Sequence, residues 1–405
     1  MKTPFVIHIE DSDIADLKKR IAATRWTDEV QNEKWEYGTN KRWLQSLCDY
    51  WQEGFEWRKQ EEYINSFNHF KADIDGTELH FIHQPGKGKN AVPLLLTHGY
   101  PDSFARFLKI IPLLTKEDEN GLSFDLVIPS IPGYGFSAKP TEPGMDPKRI
   151  AHLFTKLMTK ELGYEKFLAH GGDWGTSITE QIALYHSDVL LGIHLTDVPF
   201  SHLFSIPKGE LSKSEKDYLE RSQQWQQTQG AYAMIQSTKP QTLGYALNDS
   251  PGGLAAWIIQ SFYSWSDHDG NIENAFSKDE LLTNLTIYWA TQTINSAIRI
   301  YYEAMKAIMN AKYNPLVKLN PFDRTGKKPE VPAAFALFPK DLVNAPKDFA
   351  ERIFNVQQWT EMPEGGHFAA MEQPVLLSND IRNFVSALDK DEQNSQNKKD
   401  EMVIF

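Results

Sequence analysis

The chain has 405 residues, of which 41% are hydrophobic and 24% charged, the proportions of a folded globular protein and not of a disordered one. Lys and Arg number 42 against 54 Asp and Glu, so a general basic surface for nucleic acid is excluded at a net charge of -12. A single cysteine excludes an intramolecular disulfide and any zinc site built from several thiolates. The opening Met1-Lys2-Thr3-Pro4-Phe5 is no apolar signal segment, and no apolar stretch reaches the ~18 residues of a membrane span, so a soluble, cytoplasmic protein is the expectation.

Ser12 and Asp13 open a helical pattern over residues 12–26, with Ile14, Leu17 and Ile21 on one stripe and Lys18, Lys19 and Arg20 late, where the helix dipole favours cations. From there to residue 70, Trp26, Trp35, Trp43, Trp51 and Trp57 fall among short helical patterns and polar turns, an irregular meander that must pack on something larger. Cys48 shares an apolar stripe with Leu44, Leu47 and Trp51 and reads as a small buried hydrophobe. Phe70–Ile74 and Glu78–His83, joined by Asp75-Gly76-Thr77, predict a hairpin. From residue 92 short apolar strands follow, Val92–Thr97, Leu126–Ser130, Phe167–His170 and Leu190–Leu195, with helical patterns such as Ile150, Phe154, Leu157 and Met158 between them. Buried strands alternating with helices predict a parallel sheet covered on both faces. Residues 200–325 carry helical patterns and little strand signal, too long a stretch for a plain loop. Ala333–Leu337 and Val356–Met362 restore strands, and Leu376, Leu377, Ile381, Phe384 and Leu388 mark a closing helix. The divisions are a meander with the first hairpin (1–88), a first part of an α/β core (89–198), a helical insertion (199–325), a second part of the core (326–388) and a polar tail (389–405) expected to lack structure.

The strongest local signal is Gly171-Gly172-Asp173-Trp174-Gly175, between the strand at Phe167–His170 and a helical pattern from Thr176 to His186. This is the strand–turn–helix setting of a nucleophile elbow with Asp in place of Ser, and the small residues two before and two after it let the helix approach the strand. Taken alone, an Asp helix cap after a Gly-rich turn explains it as well. Three more segments at strand ends decide between the two. His98-Gly99-Tyr100-Pro101 follows the first apolar strand, where an oxyanion-hole amide belongs; Asp341 lies past the strand ending at Phe338; His367 lies in Gly365-Gly366-His367-Phe368. The order nucleophile, acid, histidine is that of the hydrolase elbow.

These segments, together with Ile131-Pro132-Gly133-Tyr134-Gly135-Phe136-Ser137, Gln236-Ser237-Thr238-Lys239-Pro240 and Leu247-Asn248-Asp249-Ser250-Pro251, resemble an epoxide hydrolase of the microsomal type over residues 4 to about 388. The resemblance implies an α/β-hydrolase fold, with the 199–325 insertion as a helical lid and the N-terminal meander packed on the core. It implies Asp173 as nucleophile, His367 as general base and Asp341 as the acid that orients it. It implies a cis peptide at Tyr100–Pro101, and an oxyanion hole from the amides of Tyr100 and Trp174. His98, Gly99, Pro101, Gly171 and Gly175 would shape the site. Two lid tyrosines, Tyr232 and Tyr301, would polarise the epoxide oxygen, with Tyr302 the alternative to Tyr301 because neighbours on a helix point about 100° apart. Two departures stand out: Tyr100 where many relatives have Trp, and Asp102 where they have Gly, which would add a charge near the entrance. The membrane anchor of some relatives is absent. The implied reaction needs no metal or organic cofactor, and the partner is a small lipophilic epoxide, with a homo-oligomer left open.

The residue types suit that chemistry. Phenols with a pKa of about 10 remain hydrogen-bond donors at neutral pH. A carboxylate nucleophile leaves an ester whose carbonyl water can attack. An insertion rich in aromatics, including Trp225, Trp257, Phe262, Trp265 and Trp289, favours lipophilic substrates. Two rivals share the scaffold. A haloalkane or haloacid dehalogenase would use the same Asp–His–Asp set with halide donors, for which Trp174 is a candidate. A catalytically silent binding protein would tolerate loss of a catalytic residue, and none is missing. A serine esterase is excluded, since no Gly-x-Ser-x-Gly stands at the elbow.

Overall fold

The computed structural model describes residues 1–31, 34–204, 209–313 and 328–402, with backbone alone at 204, 310–313 and 389–402. In the meander, α1 (Asp11–Ala22) has Asp11 and Asp13 in its first turn and Lys19 and Arg20 in its last, matching its dipole. α2 (Lys41–Glu53) is capped by the Asn40 side chain, which accepts from the Trp43 amide, and buries Leu44, Leu47, Cys48 and Trp51. Burial pushes the Cys48 thiol up to about 12, which leaves it inert. α3 (Trp57–Asn65) completes the meander.

A two-residue strand, β1 (Thr3–Pro4), too short for periodicity to reveal, pairs with the edge of the hairpin. The hairpin itself is β2 (His69–Ile74) and β3 (Thr77–Gln84), with positive φ of 52° at Asp75 and 77° at Gly76 in its turn. Then come β4 (Val92–Thr97), α4 (Ile111–Thr115), β5 (Phe124–Pro129), α5 (Pro147–Lys156), β6 (Phe167–Gly171), α6 (Trp174–Tyr185) and β7 (Leu190–Leu195). After the helical insertion follow β8 (Pro332–Leu337), α13 (Lys347–Glu351), β9 (Asn355–Glu361), α14 (Ala369–Glu372) and α15 (Pro374–Met402). The sheet runs β1-β2-β3-β5-β4-β6-β7-β8-β9, antiparallel through the β3/β5 pair and parallel from β5 onward. Leu94, Leu95, Leu96, Leu168 and Ala169 of its central strands are fully buried, which is why those strands read as unbroken apolar runs.

The insertion holds α7 (Lys213–Gln229), α8 (Ala231–Thr238), α9 (Pro240–Asp249), α10 (Pro251–Ser264), α11 (Lys278–Thr291) and α12 (Ile294–Tyr313). Capping boxes at Ser212/Glu215 and Ser277/Glu280 start α7 and α11, and prolines start α9 and α10. What the meander packs on is this insertion. The Trp51 indole donates to Thr286 Oγ1 at 2.9 Å, the Tyr50 hydroxyl to Asp279 at 2.9 Å, and Trp35 stacks on Tyr263 at 3.9 Å. The expected boundary at residue 325 lies outside the described residues. The tail corrects the sequence reading: α15 continues through it to Met402. After Pro374 the segment has neither Gly nor Pro and is rich in Asn, Asp, Gln, Glu and Lys, so nothing in it stops a helix already begun on an apolar stripe.

Candidate active site

The turn from β6 into α6 is as tight as its glycines suggest. A Cβ on Gly171 would lie 2.1 Å from the Gly175 carbonyl oxygen, and one on Gly175 would lie 2.1 Å from that of Thr97. Asp173 at the apex has φ 58° and ψ −126°, a strained conformation for any residue with a side chain. The strain presents its carboxylate above the sheet. Oδ1 accepts the Tyr100 amide at 2.8 Å, and Oδ2 faces His367 Nε2 at 3.4 Å, an ion-pair contact and not a formed hydrogen bond. The Trp174 amide is the first of α6, where N–H groups have no partner within a helix. The Tyr100–Pro101 peptide is cis.

His367 Nδ1 meets Asp341 Oδ1 at 2.6 Å, and both side chains are buried. The loops that carry them are tied together, since the Lys340 amide donates to the Gly365 carbonyl. His367 is fixed by its own backbone as well: its amide donates to Trp265 at 2.7 Å, and its carbonyl accepts Arg106 Nη2 at 2.6 Å. Burial alone would lower the pKa of the ring, but the charge of Asp341 and the facing Asp173 outweigh it and raise it to about 10.

Arg106 escaped the sequence reading, and it corrects the reading of Asp102. Asp102 adds no charge at the entrance: it is fully buried, accepting Arg106 Nη1 at 2.6 Å and the Gly99 amide at 2.9 Å. Burial opposes its charge, but Arg106 and His98 outweigh burial and hold the carboxyl at about 2. The pair, spaced i and i+4, bridges the loop after β4 to the loop that carries His367. His98 accepts the Ile131 amide on Nε2 at 3.1 Å, which puts its ring proton on Nδ1 and joins the loops after β4 and β5.

Above Asp173 stand two phenols, Tyr232 of α8 and Tyr301 of α12, with ring centroids 5.9 Å apart. Tyr301 packs edge-on against Trp174 at 4.8 Å and is 8% exposed, whereas Tyr302 is 38% exposed. Burial first, and then the charge of Asp173, push the Tyr232 hydroxyl above the usual tyrosine value against a hydrogen bond with Tyr301 that lowers it, while burial, then Tyr232 and Asp173, push Tyr301 up. Tyr100 stands behind them, its hydroxyl accepting the Trp257 indole at 2.9 Å. Asp173, Tyr232 and Tyr301 share a cavity of about 220 Å³, walled by Phe200, Trp225, Met305 and Leu342 among others. A larger cleft of about 710 Å³ lies between α1 and the insertion, but its lining of Asp16, Arg20, Gln241 and Arg299 is polar and does not include Asp173.

A third acid, Asp197, also lines the 220 Å³ cavity and was missed. Its signal was available: it stands just past β7, at the same end of the sheet as Tyr100, Asp173, Asp341 and His367. Asp197, Asp341 and His367 each bring a polar atom within 4.8 Å of the others, a spacing that a cation could bridge. The His367 nitrogen on the Asp341 side is instead engaged with that carboxylate at 2.6 Å.

Residues 2–107 match the family model described as epoxide hydrolase N terminus, and residues 92–292 match the alpha/beta hydrolase fold. Epoxide hydrolase 1 of Sus scrofa is 37% identical over 415 residues, covering 96% of this chain and 89% of its own. The structure is similar to that of juvenile hormone epoxide hydrolase from the silkworm Bombyx mori, at a TM-score of 0.81 and 28% identity over 96% of this chain and 94% of that one. Aspergillus niger epoxide hydrolase gives a TM-score of 0.81 at 28% identity, over 96% and 97% of the two chains. No helix among the described residues is long and apolar enough to cross a membrane. Relatives matched along nearly their whole length, and an N-terminal segment matched by its own model, place this chain in the epoxide hydrolase family, as an enzyme of the α/β-hydrolase fold.

Proposed function

We propose that the enzyme converts lipophilic epoxides to vicinal diols through an ester on Asp173. The observation that carries this reading is the facing of one bare carboxylate and two phenols across a single apolar cavity. A phenol donates its proton to the epoxide oxygen as an Asp173 oxygen attacks carbon from the opposite side. The C–O bond breaks, and a hydroxyalkyl ester and a tyrosinate result.

The raised pKa of His367 accounts for the next step. In the resting site the ring is an imidazolium, because two carboxylates face it. Esterification removes the charge of Asp173. The ring then yields its proton to the tyrosinate and becomes the base that the second step needs. Water, deprotonated by His367, attacks the ester carbonyl. The oxyanion is held by the Tyr100 and Trp174 amides, each donor typically worth about 2.7–4 kcal/mol. Collapse expels the diol and restores aspartate and imidazolium, so no proton is gained or lost over the cycle. Asp341 orients the ring throughout.

A single turnover in 18O-water tests the route. The first diol should carry no solvent oxygen, and the label should appear in Asp173. A diol labelled at once would mean direct hydration and end the ester proposal. Incubation with 1-bromobutane should release no halide.

A further inference from the structure

β7 lies between β6 and β8 in the sheet, so the loop after it emerges between the nucleophile and the acid. Asp197 stands there. Its Oδ2 accepts the Asp173 amide at 3.3 Å, while its Oδ1 is sealed from solvent without a hydrogen-bond donor. Oδ2 of Asp341 is in the same condition, since its Oδ1 is engaged by the imidazole. The two carboxyls and His367 lie within one 4.8 Å cluster.

Buried acceptors without donors are costly, and two adjacent like charges in a dry site more so. The titratable groups that face Asp197 are Asp173 from the elbow, Asp341 and His367 from the loops after β8 and β9, and Tyr218 from α7; the Thr176 hydroxyl of α6 also reaches it. The Thr176 hydroxyl spends its proton on the Gly171 carbonyl at 3.2 Å, and His367 is the one cation among these groups, its nitrogens already facing Asp341 and Asp173. Burial, and then the charge of Asp341, push the Asp197 carboxyl well above the usual carboxylate range. A single proton on one carboxyl would remove both orphaned oxygens and the repulsion.

We propose that Asp197 is a positioning residue that carries a proton in the resting enzyme and donates it as a hydrogen bond to Oδ2 of Asp341. The pair then presents one negative charge to His367 and not two. The difference matters after esterification. Two carboxylates behind the ring would hold the imidazolium and stop it from becoming a base; one orients the ring and still lets the proton go. The inference rests on the ester reading of Asp173.

Two measurements test it. In stopped-flow single turnovers, Asp197→Leu should slow ester hydrolysis about tenfold or more while alkylation changes little. Asp197→Asn, whose amide can still donate to Asp341 and accept from Asp173, should recover most of that loss. In the wild type, ester hydrolysis should fall at alkaline pH as Asp197 loses its proton, and that fall should vanish in Asp197→Asn. An Asn variant whose acid limb moves down while its alkaline limb stays would show Asp197 to be ionised at rest and overturn the proposal, as would an unchanged profile. Infrared spectra of wild-type enzyme labelled with 13C-aspartate should contain a protonated-carboxyl band that Asp197→Asn lacks; its absence overturns the proposal without reference to turnover. A solvent-labelled first diol would sink the ester reading and leave that band where it is, so the two failures are distinguishable.

Discussion

At the scale of single residues, the two adjacent tyrosines of α12 separate cleanly. Tyr301 is buried over Asp173 with its edge on Trp174, and Tyr302 faces solvent beside Lys306. Tyr301→Phe should slow ester formation about 10²-fold, the loss expected for one general acid, whereas Tyr302→Phe should leave it within about twofold. Pre-steady-state fluorescence reads this directly, because Trp174 and Trp265 flank the reacting groups. His367 carries a signature in stability. Its pKa in the folded protein is raised from 6.5 to about 10, so its contribution is complete below about pH 6.5 and is lost as pH rises toward 10. The melting temperature of wild type should therefore fall through this window more steeply than that of His367→Gln. Parallel curves would remove the imidazolium from the resting state, and with it the proton cycle above.

At the scale of elements, the elbow is where strand, turn and helix are least forgiving. Gly175→Ala would drive a methyl group into the Thr97 carbonyl, a backbone atom that cannot step aside. The variant should lose about 1–3 kcal/mol or more of stability by urea denaturation, with activity falling alongside. This element was legible from sequence because short-range geometry alone dictates its glycines. So were the apolar central strands, whose burial on both faces leaves an unbroken run. Asp102 and Arg106 were not: their spacing fits a helical pair, but only the fold brings Arg106 to the His367 carbonyl, and a charge deep in a core has no local pattern. β1 was hidden by its length, and the helical tail by the lack of any apolar stripe to mark it. Asp197 was legible by position, just past a strand end, and was passed over because no motif surrounds it.

At the scale of the whole molecule, the insertion divides into two parts. α10 and α11 each bury eight of fourteen residues, and α1, α2 and α3 pack on them from outside. α7 buries three of seventeen and α8 one of eight, yet α8 carries Tyr232. Amide exchange should follow this division, with α7 and α8 exchanging well before α10 and α11. Equal protection would contradict it. Hydrogen bonds link the quiet half to the chemistry, from Asn284 to the Pro101 carbonyl and from the Tyr288 hydroxyl to that of Asp102, each at 2.8 Å.

The placement of the meander has a consequence for traffic. A roof held along one side by the meander is freest at the other, where α7 and α8 line the cavity with Trp225, Gln226, Ala233 and Met234. Tyr232 on α8 then stands at that side, on a helix that packs against α12, the carrier of Tyr301. A shift of α8 would therefore reach α12 as well, and both phenols, not Tyr232 alone, would have to return over Asp173.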